Sequence, residues 1–114
     1  MDDCIFCKII NGKIPSNKVY EDDDVLAFKD INPQMPVHII VIPKKHIKSI
    51  ADLTIEDETL IGKIFTAINK IAKDLNISED GFRVISNCGE NAGQTVQHLH
   101  FHILGGEKMS EKII

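Results

Sequence analysis

His98, His100 and His102 occupy alternate positions of His98-Leu99-His100-Phe101-His102-Ile103-Leu104 and account for three of the five histidines in the chain. Alternate side chains of an extended strand share a face, so this spacing sets three imidazoles on one side. Leu99, Phe101 and Ile103 then face the other side, toward a core. A solvated strand face has no need of histidine, since Lys or Thr would serve more simply. A neutral imidazole is a nucleophile near neutral pH and forms covalent intermediates. Three imidazoles with one open position also make a catalytic zinc site. The spacing alone leaves both chemistries open. The preceding loop, Asn87-Cys88-Gly89-Glu90-Asn91-Ala92-Gly93-Gln94-Thr95, brings glycines that permit close backbone approach and donors that suit an anion. A donor-rich loop running into a histidine strand suits phosphoryl or nucleotidyl transfer.

Cys4 and Cys7 form a second cluster. Cys-x-x-Cys is ambiguous between zinc, redox work and chance. A thioredoxin-like role would need a βαβ setting that the N-terminal position lacks. A tetrahedral structural zinc would need two further ligands. Cys88 has no obvious partner and reads as a buried thiol. Three cysteines, an odd number, do not read as a disulfide framework.

The segments that must hold these residues are legible in outline. Cys4 to Ile10 reads as a short helix stopped at Asn11-Gly12. Lys18–Glu21 and Val25–Phe28 read as a hairpin across Asp22-Asp23-Asp24. That turn is solvated rather than a calcium loop, because no Gly and Glu follow at the required spacing. His38–Ile42 is β-branched and bounded by prolines, so a buried strand is expected. Lys44–Leu53 reads as irregular. Thr54-Ile55-Glu56-Asp57 resembles a capping box. Leu60, Ile61, Ile64, Phe65, Ile68, Ile71, Ala72 and Leu75 then mark the apolar stripe of one long helix ending near Asn76. Phe82–Ser86 and Gln97–Leu104 complete the strands, the last ended by Gly105-Gly106. The class is α+β with a mainly antiparallel sheet.

Composition narrows the partners. The chain has 114 residues, 43% hydrophobic and 26% charged, an ordinary globular balance. Its formal net charge of −4 argues against duplex DNA and acidic membranes. No apolar run is long enough to span a bilayer, and Met1-Asp2-Asp3-Cys4 is acidic where a signal peptide is basic, so a cytoplasmic protein is expected.

The histidine segment resembles the His-φ-His-φ-His-φ-φ motif of the histidine triad superfamily. Gly93-Gln94-Thr95 before it and Gly105-Gly106 after it resemble the purine nucleoside phosphoramidase branch. The likeness runs from Cys4 to about Met109 and includes Asp30-Ile31 and Val41-Ile42-Pro43-Lys44-Lys45-His46-Ile47. It implies a five-stranded antiparallel sheet with one long and one short helix. It also implies a single domain over residues 1–114, with 107–114 as a tail, and pairing into a homodimer. On this resemblance His100 attacks the α-phosphate of a purine nucleoside phosphoramidate or acyl-adenylate. Water then releases AMP or GMP from the nucleotidylated histidine. His102 and Thr95 would contact the phosphate or leaving group. Asn87, Gly93 and Gln94 form the phosphate loop, Asp30 takes the ribose hydroxyls, and Ile31 lies against the base. His38 would stand behind the triad as an orienting residue.

The resemblance further implies a structural zinc on Cys4, Cys7, His46 and His98, with no cofactor needed for the chemistry. Using His98 in this way removes the reading of a catalytic zinc on the triad. Thr95 stands where serine is common, keeping the hydroxyl and adding a methyl. The tail lacks the Trp- and Pro-containing ending of animal relatives. Two rivals are a dinucleoside polyphosphate hydrolase and a non-catalytic nucleotide-binding regulator.

Overall fold

Val25-Leu26-Ala27-Phe28 and Ile39-Ile40-Val41-Ile42 are apolar at every position, so both segments must be covered on two faces. The structure, a computed structural model, describes residues 3–114 and meets this demand with two cores. Met1 and Asp2, which open the acidic N-terminal stretch, lie outside the described residues.

Strands β1 (Lys18–Glu21), β2 (Val25–Lys29), β3 (Val37–Pro43), β4 (Phe82–Ile85) and β5 (Phe101–Gly105) form one antiparallel sheet in the order β1-β2-β3-β5-β4. Helix α1 (Ile5–Ile10) covers one face and α2 (Glu58–Asp74) the other. Val25, Ala27, Ile39 and Val41 pack with Ile64, Ile68 and Ile71 of α2, joined by Leu99, Phe101 and Ile103. Leu26, Phe28, Ile40 and Ile42 point the opposite way, against Phe6 and Ile9 of α1. The two-residue alternation of each strand thus divides the apolar residues between the cores.

The ends of α1 and α2 follow from their caps. Cys4 is the N-cap of α1, its Sγ accepting from the Cys7 N–H. Before α2, residues Ile55–Asp57 form a 3₁₀ turn, and the Asp57 carboxylate accepts from the Thr54 N–H at 3.0 Å. The long helix therefore begins at Glu58 rather than Thr54. In the hairpin turn, Asp22 Oδ1 accepts from the N–H groups of Asp24 and Val25, which fixes the turn.

The last strand departs from expectation. Regular pairing begins at Phe101, not Gln97. Pro43 ends β3, and its carbonyl accepts from the His98 ring Nε2 at 2.8 Å instead of from a backbone N–H. Leu99 N–H turns to Ile47 O. Residues 97–100 are thus held to the sheet end by a side chain rather than by a ladder. Alternation survives nonetheless, with Leu99 in the α2-side core and His98 and His100 against Phe6 of α1. At the other end of β5, Gly105 lies against Ile77. A β-carbon there would meet three Ile77 side-chain atoms at 3.0–3.3 Å.

Among the described residues no helix is long and apolar enough to cross a membrane. Ile68 is 1% exposed and central to the α2-side core. Its replacement, Ile68→Ala, is expected to cost about 2–5 kcal/mol, read as a lower midpoint at unchanged slope in urea unfolding.

Candidate functional site

The imidazole protons can be assigned from their partners. His100 Nδ1 lies 2.7 Å from the His98 carbonyl, an oxygen that can only accept. In the neutral ring the proton therefore sits on Nδ1, and Nε2 keeps a lone pair. Ser86 Oγ donates to the His100 carbonyl at 2.8 Å and fixes that backbone from the β4 side. His100 is 6% exposed, with the Phe6 ring edge-on at 5.1 Å between centroids and the His102 ring at 5.2 Å.

A second chain of bonds sets His102. The Gln34 N–H donates to His38 Nδ1 at 3.0 Å, so His38 carries its proton on Nε2. That nitrogen lies 2.8 Å from His102 Nδ1, which must accept. His102 is left with Nε2–H as its other polar position, a donor on a ring whose centroid lies 5.2 Å from that of His100. Asp30 Oδ2 stands 3.3 Å from the same His38 nitrogen, while its Oδ1 accepts from the Asn32 N–H. Burial pushes the pKa of both His38 and His102 down. Neighbouring histidines add to the effect at His102, and Asp30 opposes it at both. Asp30, His38 and His102 bring three ligand atoms within 4.8 Å. A cation on His38 Nε2 would force the proton onto Nδ1, against the Gln34 N–H, so this trio orders protons rather than metal.

Cys4, Cys7, His46 and His98 make the other cluster. His98 is fully buried; its Nε2–H goes to Pro43 O, which leaves Nδ1 as a lone pair facing both cysteines. Cys4 Sγ is 3.4 Å and Cys7 Sγ 3.6 Å from that nitrogen, and Cys7 Sγ is 3.3 Å from His46 Nδ1. Two ligands of a tetrahedral zinc, one sulfur and one nitrogen, stand about 3.6 Å apart. The donor set fits such a cation in type and in separation, and Pro43 O supplies the bond that orients a metal-binding imidazole. Burial, and then Cys4, push the Cys7 thiol up to about 11, so a bound cation must displace that proton.

The donor loop is shaped by Gln94. The Gln94 side chain is buried and turned to the protein. Its amide donates to Lys48 O and Val96 O, and its carbonyl accepts from Gly89 N–H. Gln94 thereby holds the loop, leaving Gly93, at φ +77°, and the exposed Thr95 at its surface. Asn87 Nδ2 donates to Ala92 O across the same loop. The loop borders a cavity of about 740 Å³ lined in part by Lys48, Cys88, Gly93 and Thr95. Cys88 is half-buried on that wall rather than buried, and its thiol is shifted down chiefly by Ser49 and then by the Ala51 N–H. Ile31 is 89% exposed. Sequence reasoning missed Phe6, Gln34 and Ser86. Two of them act through a backbone N–H or a lone hydroxyl, which carries no spacing signal.

Residues 3–113 match the family model described as scavenger mRNA decapping enzyme C-term binding. The chain is similar to an uncharacterised HIT-like protein of Synechocystis, 50% identical over 109 residues, 96% of this chain and 95% of that protein. It is similar to the purine nucleoside phosphoramidase of Escherichia coli K12, 45% identical over 108 residues, 95% of this chain and 91% of that one. It also matches the solved structure of a HIT family hydrolase from Clostridium thermocellum, with TM-score 0.98, 49% identity, and coverage of 100% of this chain and 99% of that one.

The depressed histidines predict a pH effect with a definite sign. Folding holds His38 and His102 below the ordinary value of 6.5, so the unfolded chain binds more protons between the two values. Their contribution to stability is fully present above pH 6.5 and is lost as pH falls through the folded values. Asp30→Asn removes the charge that favours protonation. NMR titration of that variant should show His38 protonating at a lower pH than in the wild type.

Proposed function

Because this chain belongs to the histidine triad family, we propose that it is a nucleotidyl hydrolase acting on purine nucleoside phosphoramidates or acyl-adenylates through a covalent nucleotidyl-His100. The observation that carries this reading is the 2.7 Å contact of His100 Nδ1 with the His98 carbonyl. In the neutral ring it places the lone pair on the opposite nitrogen, the one that must attack.

His100 Nε2 forms a bond to the α-phosphorus as the bond from phosphorus to the leaving nitrogen or oxygen breaks, and the leaving group departs with that electron pair, a leaving nitrogen taking up a proton from solvent that the later attack of water returns. His102 Nε2–H donates a hydrogen bond at the phosphate or leaving group while His38 keeps His102 Nδ1 as an acceptor. Asn87, Gly93 and Thr95 offer donors to the phosphoryl oxygens, where charge develops. Asp30 takes the ribose hydroxyls and Ile31 lies against the purine. Water then attacks phosphorus, the N–P bond breaks, and AMP or GMP leaves with His100 restored.

Cys4, Cys7, His46 and His98 hold a structural zinc. When bound, that ion supplies a cross-link between the N-terminal turn and the sheet and takes no part in the chemistry. The chain forms one domain, works in the cytoplasm and pairs with a second copy. β4 lies at a sheet edge, where a further strand can add.

Intact-mass measurement after mixing with adenosine phosphoramidate tests the mechanism. The wild type should gain one adenylyl group transiently and release AMP. His100→Ala should lose turnover by at least ~10³-fold, show no adduct, and still bind AMP. Turnover at the wild-type rate in that variant would overturn the assignment. Preferred cleavage of diadenosine polyphosphates in a parallel assay would move the substrate to the other class, and AMP binding without turnover of either would leave a regulator. Elemental analysis of protein purified without chelators should find one zinc per chain, with Cys4→Ser losing it.

A further inference from the structure

Phe6 lies inside the Cys4-x-x-Cys7 turn and reaches both imidazoles that matter. Its ring stands edge-on to His100 at 5.1 Å and to His98 at 5.9 Å, with Phe28 closing the far side at 5.7 Å. It is 6% exposed, so the contact is a packed one. Such ring pairs are directional as well as apolar, and they limit how far a neighbouring ring can turn.

The helix that carries Phe6 cannot hold itself in place. α1 has six residues, well short of the length at which a helix persists alone. Its anchors are the burial of Phe6 and Ile9 and the two cysteines gathered around His98 Nδ1. His98 in turn serves two partners at once. Its ring joins the cysteine cluster, and its own carbonyl receives the His100 Nδ1 proton. Two routes therefore run from the cluster to His100. One passes through the Phe6 ring and the other through the His98 backbone.

We propose that Phe6 is the positioning residue of His100, and that occupation of the Cys4–Cys7–His46–His98 cluster by a thiophilic divalent cation keeps it there. The cation thereby governs turnover while touching no substrate. Loss of the cation frees α1 and withdraws the Phe6 ring, leaving the His98 ring held by Pro43 O and the edge-on His46 ring alone. His100 then samples orientations in which its lone pair no longer faces phosphorus. The proposal rests on His100 being the nucleophile, as argued above, and it adds a control that this role does not require.

The test compares wild type, Phe6→Leu and Ile5→Val at equal zinc content, and wild type stripped by a chelator and then reloaded with zinc. Readouts are kcat and KM for AMP release, and the ring-nitrogen NMR signals of His100 without substrate, with the Ile68 methyl signal as a monitor of the fold. Zinc-loaded Phe6→Leu should hold KM, lose kcat by about 10- to 100-fold, and lose the fixed Nδ1–H signal of His100. Ile5→Val, at an exposed position of the same helix, should change neither. Stripped wild type should show the same change at His100 with the Ile68 signal kept, and zinc should reverse it. Zinc-loaded Phe6→Leu with wild-type kcat and His100 signals overturns the proposal, as does stripped protein with an unchanged His100. A stripped protein that loses the Ile68 signal as well assigns the cation to the whole fold and also overturns it. Should Phe6→Leu fail to fold, the stripping arm on wild type decides alone. Wild-type turnover in His100→Ala would sink the nucleotidyl reading, while the NMR arm would still judge the positioning of His100.

Discussion

One hydrogen bond, from His100 Nδ1 to the carbonyl of His98, determines what the rest of the site can be. A carbonyl cannot donate, so the bond admits a single neutral tautomer and turns the other nitrogen into a base and nucleophile. The partner lies two residues back on the same strand, so the geometry depends on the local backbone. That backbone is held on one side by Ser86 Oγ and on the other by the His98 ring on Pro43 O. Each of these bonds replaces a ladder bond that a regular strand would have made. The irregular stretch before β5 is thus the arrangement that lets side chains, rather than strand pairing, set the imidazoles.

The same logic orders the neighbouring rings. Gln34 N–H fixes His38, His38 fixes His102, and burial keeps both neutral. Neutrality matters because facing imidazolium ions packed about 5 Å apart would repel in a poorly solvated setting. Asp30 moderates the effect without reversing it. Histidines at three levels of the sheet thereby take three parts: a lone pair toward the cysteines, a lone pair at the centre, and a donor at the edge.

Much of this was legible in the sequence. Period-two apolar residues at Leu99, Phe101 and Ile103 gave the inward face, and the stripe from Leu60 to Leu75 gave α2. The Cys-x-x-Cys spacing marked the second cluster, although its histidines came from resemblance to a family. The start of β5 was not legible, because a ring nitrogen takes the Pro43 carbonyl and no residue pattern announces that capture. The inward turn of Gln94 was not legible either, since its side-chain amide bonds carbonyls from two separate segments that no spacing pattern links. Phe6 reads as ordinary core. Its neighbours His98 and His100 stand more than ninety positions away in the chain, and only the folded sheet brings them together.

Gly105 carries a last consequence. A strand bearing histidine at every second position looks nearly the same to its neighbours after sliding two residues, so the imidazoles alone cannot tell the correct alignment from its shifted copy. The tight approach of Gly105 to Ile77 breaks that degeneracy. A slide one way would bring Ile103 to a place where even a β-carbon would crowd Ile77 at 3.0–3.3 Å, and a slide the other way would bring Glu107 there. The smallest residue of β5 thus acts as the index mark that decides which of three look-alike rings stands in the middle.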